Sequence, residues 1–111
     1  MAFTIWAISL WPIHEDVRAD VITALNDAGK SCPANERWEA TVYEGPDLGG
    51  TKLTLEGSRQ KEMIWTGWSV EGERDGKFIY SRVSISAHYA DRQAWIDAEF
   101  RDAVREMLTA P

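Results

Sequence analysis

The chain has 111 residues, with 18 Asp and Glu against 12 Lys and Arg, a formal net charge of −6 and six Trp. That charge opposes nucleic-acid phosphates and anionic membrane surfaces, and the scattered Lys and Arg form no long basic stripe to overcome it. The length suits a single domain over residues 1–111, with about two-thirds of its unfolded surface buried and no metal or disulfide staple required. The one cysteine, Cys32, excludes an internal disulfide and points to a reducing, cytoplasmic setting.

The opening stretch from Ala2 to Trp11 is apolar. It has no basic residue before it, no small-residue cleavage site after it, and about half the length of a membrane span, so it reads as a strand. Ile5, Ala7 and Trp11 fall on one face and Trp6, Ile8 and Leu10 on the other, the pattern of a central strand, and Pro12 ends it. From His14 to Ala28, the residues Val17, Val21, Ala24, Leu25 and Ala28 form one helical stripe. Gly29 stands where a left-handed cap is expected.

After a loop containing Cys32, Pro33 and Asn35, four strands follow. Trp38, Ala40 and Val42 alternate with Glu39, Thr41 and Tyr43; Gly45 to Gly50 make a turn; Leu53 and Leu55 alternate with Lys52, Thr54 and Glu56. Met63 to Val70 is the next strand, with Trp65, Gly67 and Ser69 opposing Ile64, Thr66, Trp68 and Val70. Asp75-Gly76 is a tight-turn signal into Lys77 to Ala87, where Ile79, Val83 and Ile85 oppose Phe78, Tyr80 and Arg82. Strands this close in sequence are expected to pair mainly antiparallel. Asp91 caps a second helix reaching about residue 108, with Ile96, Phe100, Ala103, Val104 and Met107 on its core stripe.

The expected fold is therefore α+β: a two-layer sandwich in the order β-α-β-β-β-β-α, with two helices on one face of a five-stranded, mainly antiparallel sheet. The expected core comprises Ile5, Val21, Leu25, Val42, Leu53, Val83, Ile85, Ile96, Phe100 and Val104. The opposite sheet face collects Tyr43, Trp65, Phe78 and Tyr80, either as cross-strand pairs or as a contact surface.

Motifs that promise chemistry do not survive their settings. Ala24-Leu-Asn-Asp-Ala-Gly29-Lys30-Ser31 matches a relaxed phosphate-loop pattern, yet it ends a helix, whereas such a loop must open one. His14 and His88 each lie beside acids but lack the spacing of metal ligands. Cys32 lies near Lys30, which would lower its thiol pKa, but no base can be named to activate it. No catalytic residue, metal or cofactor is assigned.

The acidic residues are more orderly. Asp16, Asp20 and Asp27 share one line of the first helix, and Trp95, Glu99, Asp102 and Glu106 share one on the second, turned away from the expected core. An aromatic among carboxylates suits an Arg-rich surface, where cation–π contact and ion pairing act together. The expectation is a small, acidic, non-enzymatic interaction domain that binds and blocks a basic surface of a partner, for example a nucleic-acid-binding protein. Immunity proteins and phage-encoded inhibitors of host defence are comparable in type. Direct nucleic-acid or membrane binding is not expected. The alternatives are a small-molecule-binding or enzymatic domain using the aromatic sheet face, and a structural homodimer subunit.

Overall fold

The computed structural model describes residues 2–10, 13, 15–44, 67–84, 89 and 91–110. Over these the fold is α+β, with strands β1 (Ala2–Ser9), β2 (Arg37–Glu44), β3 (Trp68–Arg74) and β4 (Lys77–Ser84) in one sheet, ordered β2-β1-β3-β4. Helix α1 (Glu15–Ala28) joins β1 to β2. A second helix consists of α2 (Arg92–Ile96), one π-helical turn (Asp97–Arg101) and α3 (Asp102–Thr109).

The sheet is mixed, which corrects the expectation of five mainly antiparallel strands. β1 pairs with β2 in parallel along its full length, and β3 pairs antiparallel with both β1 and β4. The helix explains the parallel pair. A strand that leaves through a crossover helix returns in its starting direction, so β1, α1 and β2 form a βαβ unit. The strand expected around Leu53 and Leu55 lies outside the described residues, as do Trp65 and Ile85.

β1 is central, and its burial alternates strictly: Phe3, Ile5, Ala7 and Ser9 are buried, while Thr4, Trp6 and Ile8 on the other face are half-buried. Both helices pack on the first of these faces. Val17, Val21, Ala24 and Leu25 of α1 share one core with Ile96, Phe100, Val104 and Met107 of the second helix and with Ile5, Val42, Trp68 and Val70 of the sheet. Burying side chains of this size removes about 1.5 to 3 kcal/mol each of unfavourable hydration, and this supplies the main drive for the two layers to dock.

The Asp75-Gly76 hairpin turn is present as read, both residues having positive φ (53° and 80°), as a tight hairpin of this type demands. It is tied to the far end of β1, where the Ala2 amide donates to Asp75 Oδ1 at 2.8 Å and the Asp75 amide donates to the Ala2 carbonyl at 2.9 Å.

Three local departures redirect side chains. In β4 the ladder passes from Gly72↔Tyr80 to Glu73↔Phe78, leaving Ile79 as an extra, bulged residue. Beyond it Tyr80, Arg82 and Ser84 lie on the helix side while Val83, expected in the core, faces outward at 66% exposure. Gly29 is not a left-handed cap. The chain continues into a 3-10 turn (Gly29–Ser31), and a Cβ at position 29 would overlap the Trp38 indole.

The third departure is the π turn. Its extra residue shifts the helix phase, so that Trp95 and Ile96, and then Glu99 and Phe100, all turn inward. Trp95 is fully buried, not turned outward as expected, and forms an aromatic cluster with Trp68 (centroids 5.9 Å apart) and Phe100 (5.0 Å).

Candidate functional site

The acidic line of α1 faces cations of the second helix. Arg92 Nη1 lies 3.3 Å from Asp16 Oδ2 and 3.0 Å from Asp20 Oδ2, and Arg101 Nη1 lies 2.8 Å from Asp27 Oδ2. Asp27 also meets Lys30 at 3.3 Å. Hydrogen bonds from Arg101 and Lys30 hold the Asp27 carboxyl below its usual range. At Asp16 burial acts upward, but the Arg92 hydrogen bond and charge, with the Val17 amide, outweigh it and the pKa falls. The three aspartates therefore serve as one half of an interhelix ion-pair seam.

The four residues singled out on the second helix do not form one exposed line. Trp95 lies in the core, and Glu99 is only 8% exposed. Glu99 Oε1 accepts from Ser84 Oγ at 3.1 Å and from the Tyr89 hydroxyl. Asp102 pairs with Arg105 at 2.8 Å, and Glu106 accepts from the Tyr80 hydroxyl at 2.8 Å. Burial, reinforced by these carboxylates, pushes both Tyr80 and Tyr89 up to about 12. The β4 bulge creates this seam by turning Tyr80 and Ser84 toward the helices. A sequence alternation with no bulge in it hides the contact.

Residues that suggested chemistry have other surroundings. Lys30 follows the end of α1 and pairs with Asp27, so no helix N-terminus is present there to hold a phosphate. Burial first, and then the charge of Glu36, raise the Cys32 thiol pKa, opposite to the lowering expected from Lys30. His14 and His88 lie outside the described residues, among which no group of three or more His, Cys, Asp and Glu is placed to hold a metal. A surface cavity of about 490 Å³ lies between the ends of α1 and the second helix, lined in part by Asp27, Ser31, Arg101, Arg105 and Thr109. Its guanidinium groups are already engaged, Arg101 by Asp27 and Asp97 and Arg105 by Asp102.

The sheet face away from the helices has a different character. Reading across β2, β1, β3 and β4, register gives three rows: Glu39, Thr4, Glu73 and Phe78; Thr41, Trp6, Glu71 and Ser81; Tyr43, Ile8, Ser69 and Val83. Tyr43 and Phe78 are 49% and 56% exposed. Arg37 lies one row beyond, at the end of β2. Glu39, Glu71 and Glu73 make no salt bridge with any described residue, in contrast to the aspartates of α1. Tyr43 and Phe78 were placed on this face by sequence parity. Trp6 was read only as one parity of a two-faced strand and was not assigned to this face, and the glutamates beside it carried no signal until the registers of β1 with β2 and β3 put them together.

No protein-family model matches the chain, and neither a curated protein nor a solved structure matches it. Among the described residues no helix is long and apolar enough to cross a membrane.

Proposed function

We propose that this chain is a small, acidic, non-enzymatic interaction domain of the cytosol that binds and blocks a basic surface of a partner protein, and that the sheet face away from the helices makes the contact. One contrast carries the reading. The acids of α1 have cationic partners within the chain, while Glu39, Glu71 and Glu73 stand among Trp6, Tyr43 and Phe78 with no salt bridge to a described residue. Carboxylates with unspent charge attract a cationic surface, and aromatic side chains supply the desolvated contact that lengthens residence.

A homodimer through this face is disfavoured by the same glutamates, because a second copy would bring like charges together. A small-molecule site is less favoured as well, since the cavity lined by Asp27, Arg101 and Arg105 lies on the opposite layer and its charges are mutually balanced.

The test compares two sets of variants against the basic partner purified from native cells. Glu39→Lys, Glu71→Lys and Glu73→Lys together should abolish binding, while Asp20→Asn and Glu106→Gln should leave it within about twofold, exposed pairs being worth little. Loss of binding in the second set with retention in the first would overturn the assignment of the face. Binding that is indifferent to raised salt would overturn the basic-partner reading itself.

A further inference from the structure

Within that proposed function, and resting on it, we infer that Trp6 and Glu71 form a spot that reads arginine, and that the partner surface seated on this face presents an arginine side chain there in preference to a lysine. Trp6 lies directly opposite Glu71 in the antiparallel β1–β3 pair and beside Thr41 in the parallel β1–β2 pair. Directly opposed residues stand about 4.5 to 5.5 Å apart at Cα, and residues two apart on one strand about 7 Å. Glu71 is therefore the immediate neighbour of the indole, and Glu73, opposite Thr4, lies one row further along.

The neighbours of Trp6 on this face are of mixed size. Thr4 and Thr41 beside it and Ser69 on the diagonal are short, Ile8 and Tyr43 are its bulkier neighbours, and Glu71 opposite it and Glu73 on the diagonal border the half-buried indole. A flat cation can lie over such a ring and still reach a carboxylate beside it. Guanidinium is planar and weakly hydrated, stacks on aromatic faces and presents a fork of N–H donors to carboxylate oxygens. Lysine ammonium can pair with Glu71 but is a compact, strongly hydrated point charge that gains less from the stack. No cation occupies these three rows, so nothing in them competes for the place. The core does not require a Trp at this position either, since the helix-side residues of β1 form the packed cluster without it.

Hexa-arginine and hexa-lysine, equal in length and charge, are suitable probes. They would be titrated into the full chain while the six indole N–H signals are followed by NMR, with a single Trp→Phe variant at each position identifying its resonance. The expected result is that hexa-arginine binds about tenfold tighter than hexa-lysine, shifts the Trp6 signal most, and loses that advantage in Trp6→Ala and Trp6→Leu while Glu71→Gln weakens both peptides. Thermal melting of each variant checks that it folds. Equal affinity for the two peptides, with shifts in this face, would overturn the arginine inference and leave the basic-partner reading standing. Shifts confined to Trp38, Trp68 and Trp95 would overturn the arginine inference and the assignment of the face together.

Discussion

Trp95 and Phe100 meet edge to face, with ring centroids 5.0 Å apart and planes at 89°, although they are five positions apart on one helix. An uninterrupted α-helix brings positions three and four apart together, so this contact depends on the π turn from Asp97 to Arg101. Trp68 completes the cluster from β3, its ring 5.2 Å from that of Phe100. The second helix is thus anchored through a phase shift in its own backbone.

Truncating either ring should therefore unfold the protein more easily. Phe100→Ala and Trp95→Ala are each expected to destabilise by about 3 to 5 kcal/mol in urea denaturation. A Trp95→Ala variant that melts like the parent would show that the ring is not buried where the π turn places it.

Gly29 and Gly72 offer a matched comparison. A Cβ at Gly29 would run into the rigid Trp38 indole, whereas one at Gly72 would meet the thioether of Met107, with Sδ at 2.6 Å. A methionine can move aside and an indole beneath a helix end cannot, so Gly29→Ala should cost about 1 to 3 kcal/mol and Gly72→Ala distinctly less. Equal losses in thermal denaturation would contradict this ordering.

The seam between β4 and the second helix predicts a stability loss at high pH. Tyr80 and Tyr89 are pushed up to about 12, by burial first and then by Glu106 and Glu99, against an ordinary value near 10. A raised pKa means the unfolded chain releases these protons first. Their contribution is complete below about pH 10 and is lost as pH rises toward about 12. The double variant Tyr80→Phe, Tyr89→Phe should flatten that decline in a pH series of melting curves. An unchanged slope would remove the two phenols from the account.

At the acidic end the sign reverses. Asp27 is held low by Arg101 and Lys30, and Glu44 by the Ile13 amide and Arg18. The stability they give is present above the ordinary carboxylate range and is lost as pH falls through their lowered values. Asp27→Asn and Glu44→Gln should each make the melting temperature less sensitive to acid between about pH 5 and pH 2. A steeper acid decline in these variants would show that the pairs do not hold.

Glu99 separates an acceptor from a charge. Glu99→Ala removes the acceptor for Ser84 and Tyr89 in a buried site and is expected to cost about 1 to 3 kcal/mol. Glu99→Gln keeps a carbonyl there and should cost less. If the glutamine is the worse of the two, the carboxylate charge rather than its hydrogen bonds matters to the seam.

Much of the framework was legible in residue spacing. Val17, Val21 and Leu25 at helical intervals, Asp91 as the cap whose Oδ1 accepts from the Ala94 amide, and the Asp75-Gly76 turn all act locally, and local chemistry is written in sequence. The misreadings arise where one backbone residue changes the phase between the segments on its two sides. The bulge at Ile79 turned Val83 out and Tyr80 in, and the π turn turned Trp95 and Glu99 in; neither irregularity alters composition or periodicity enough to be read. The parallel pairing of β1 with β2 was not anticipated, because closeness in sequence argues for antiparallel pairing only among the strands after α1, while the helix between β1 and β2 sets their direction.

The placement of β1 has a kinetic consequence. As the strand between β2 and β3, it needs partners from distant parts of the chain, and the bond from the Ala2 amide to Asp75 spans 73 positions. Loop-closure entropy is spent before such pairings return any stability, so the sheet is slow to nucleate even though its helices form in microseconds or less. The unit of β1, α1 and β2 spans a far shorter stretch and can assemble first, leaving the other edge of β1 open until the β3–β4 hairpin arrives. That interval is when this chain is most exposed to pairing with a neighbour of its own kind.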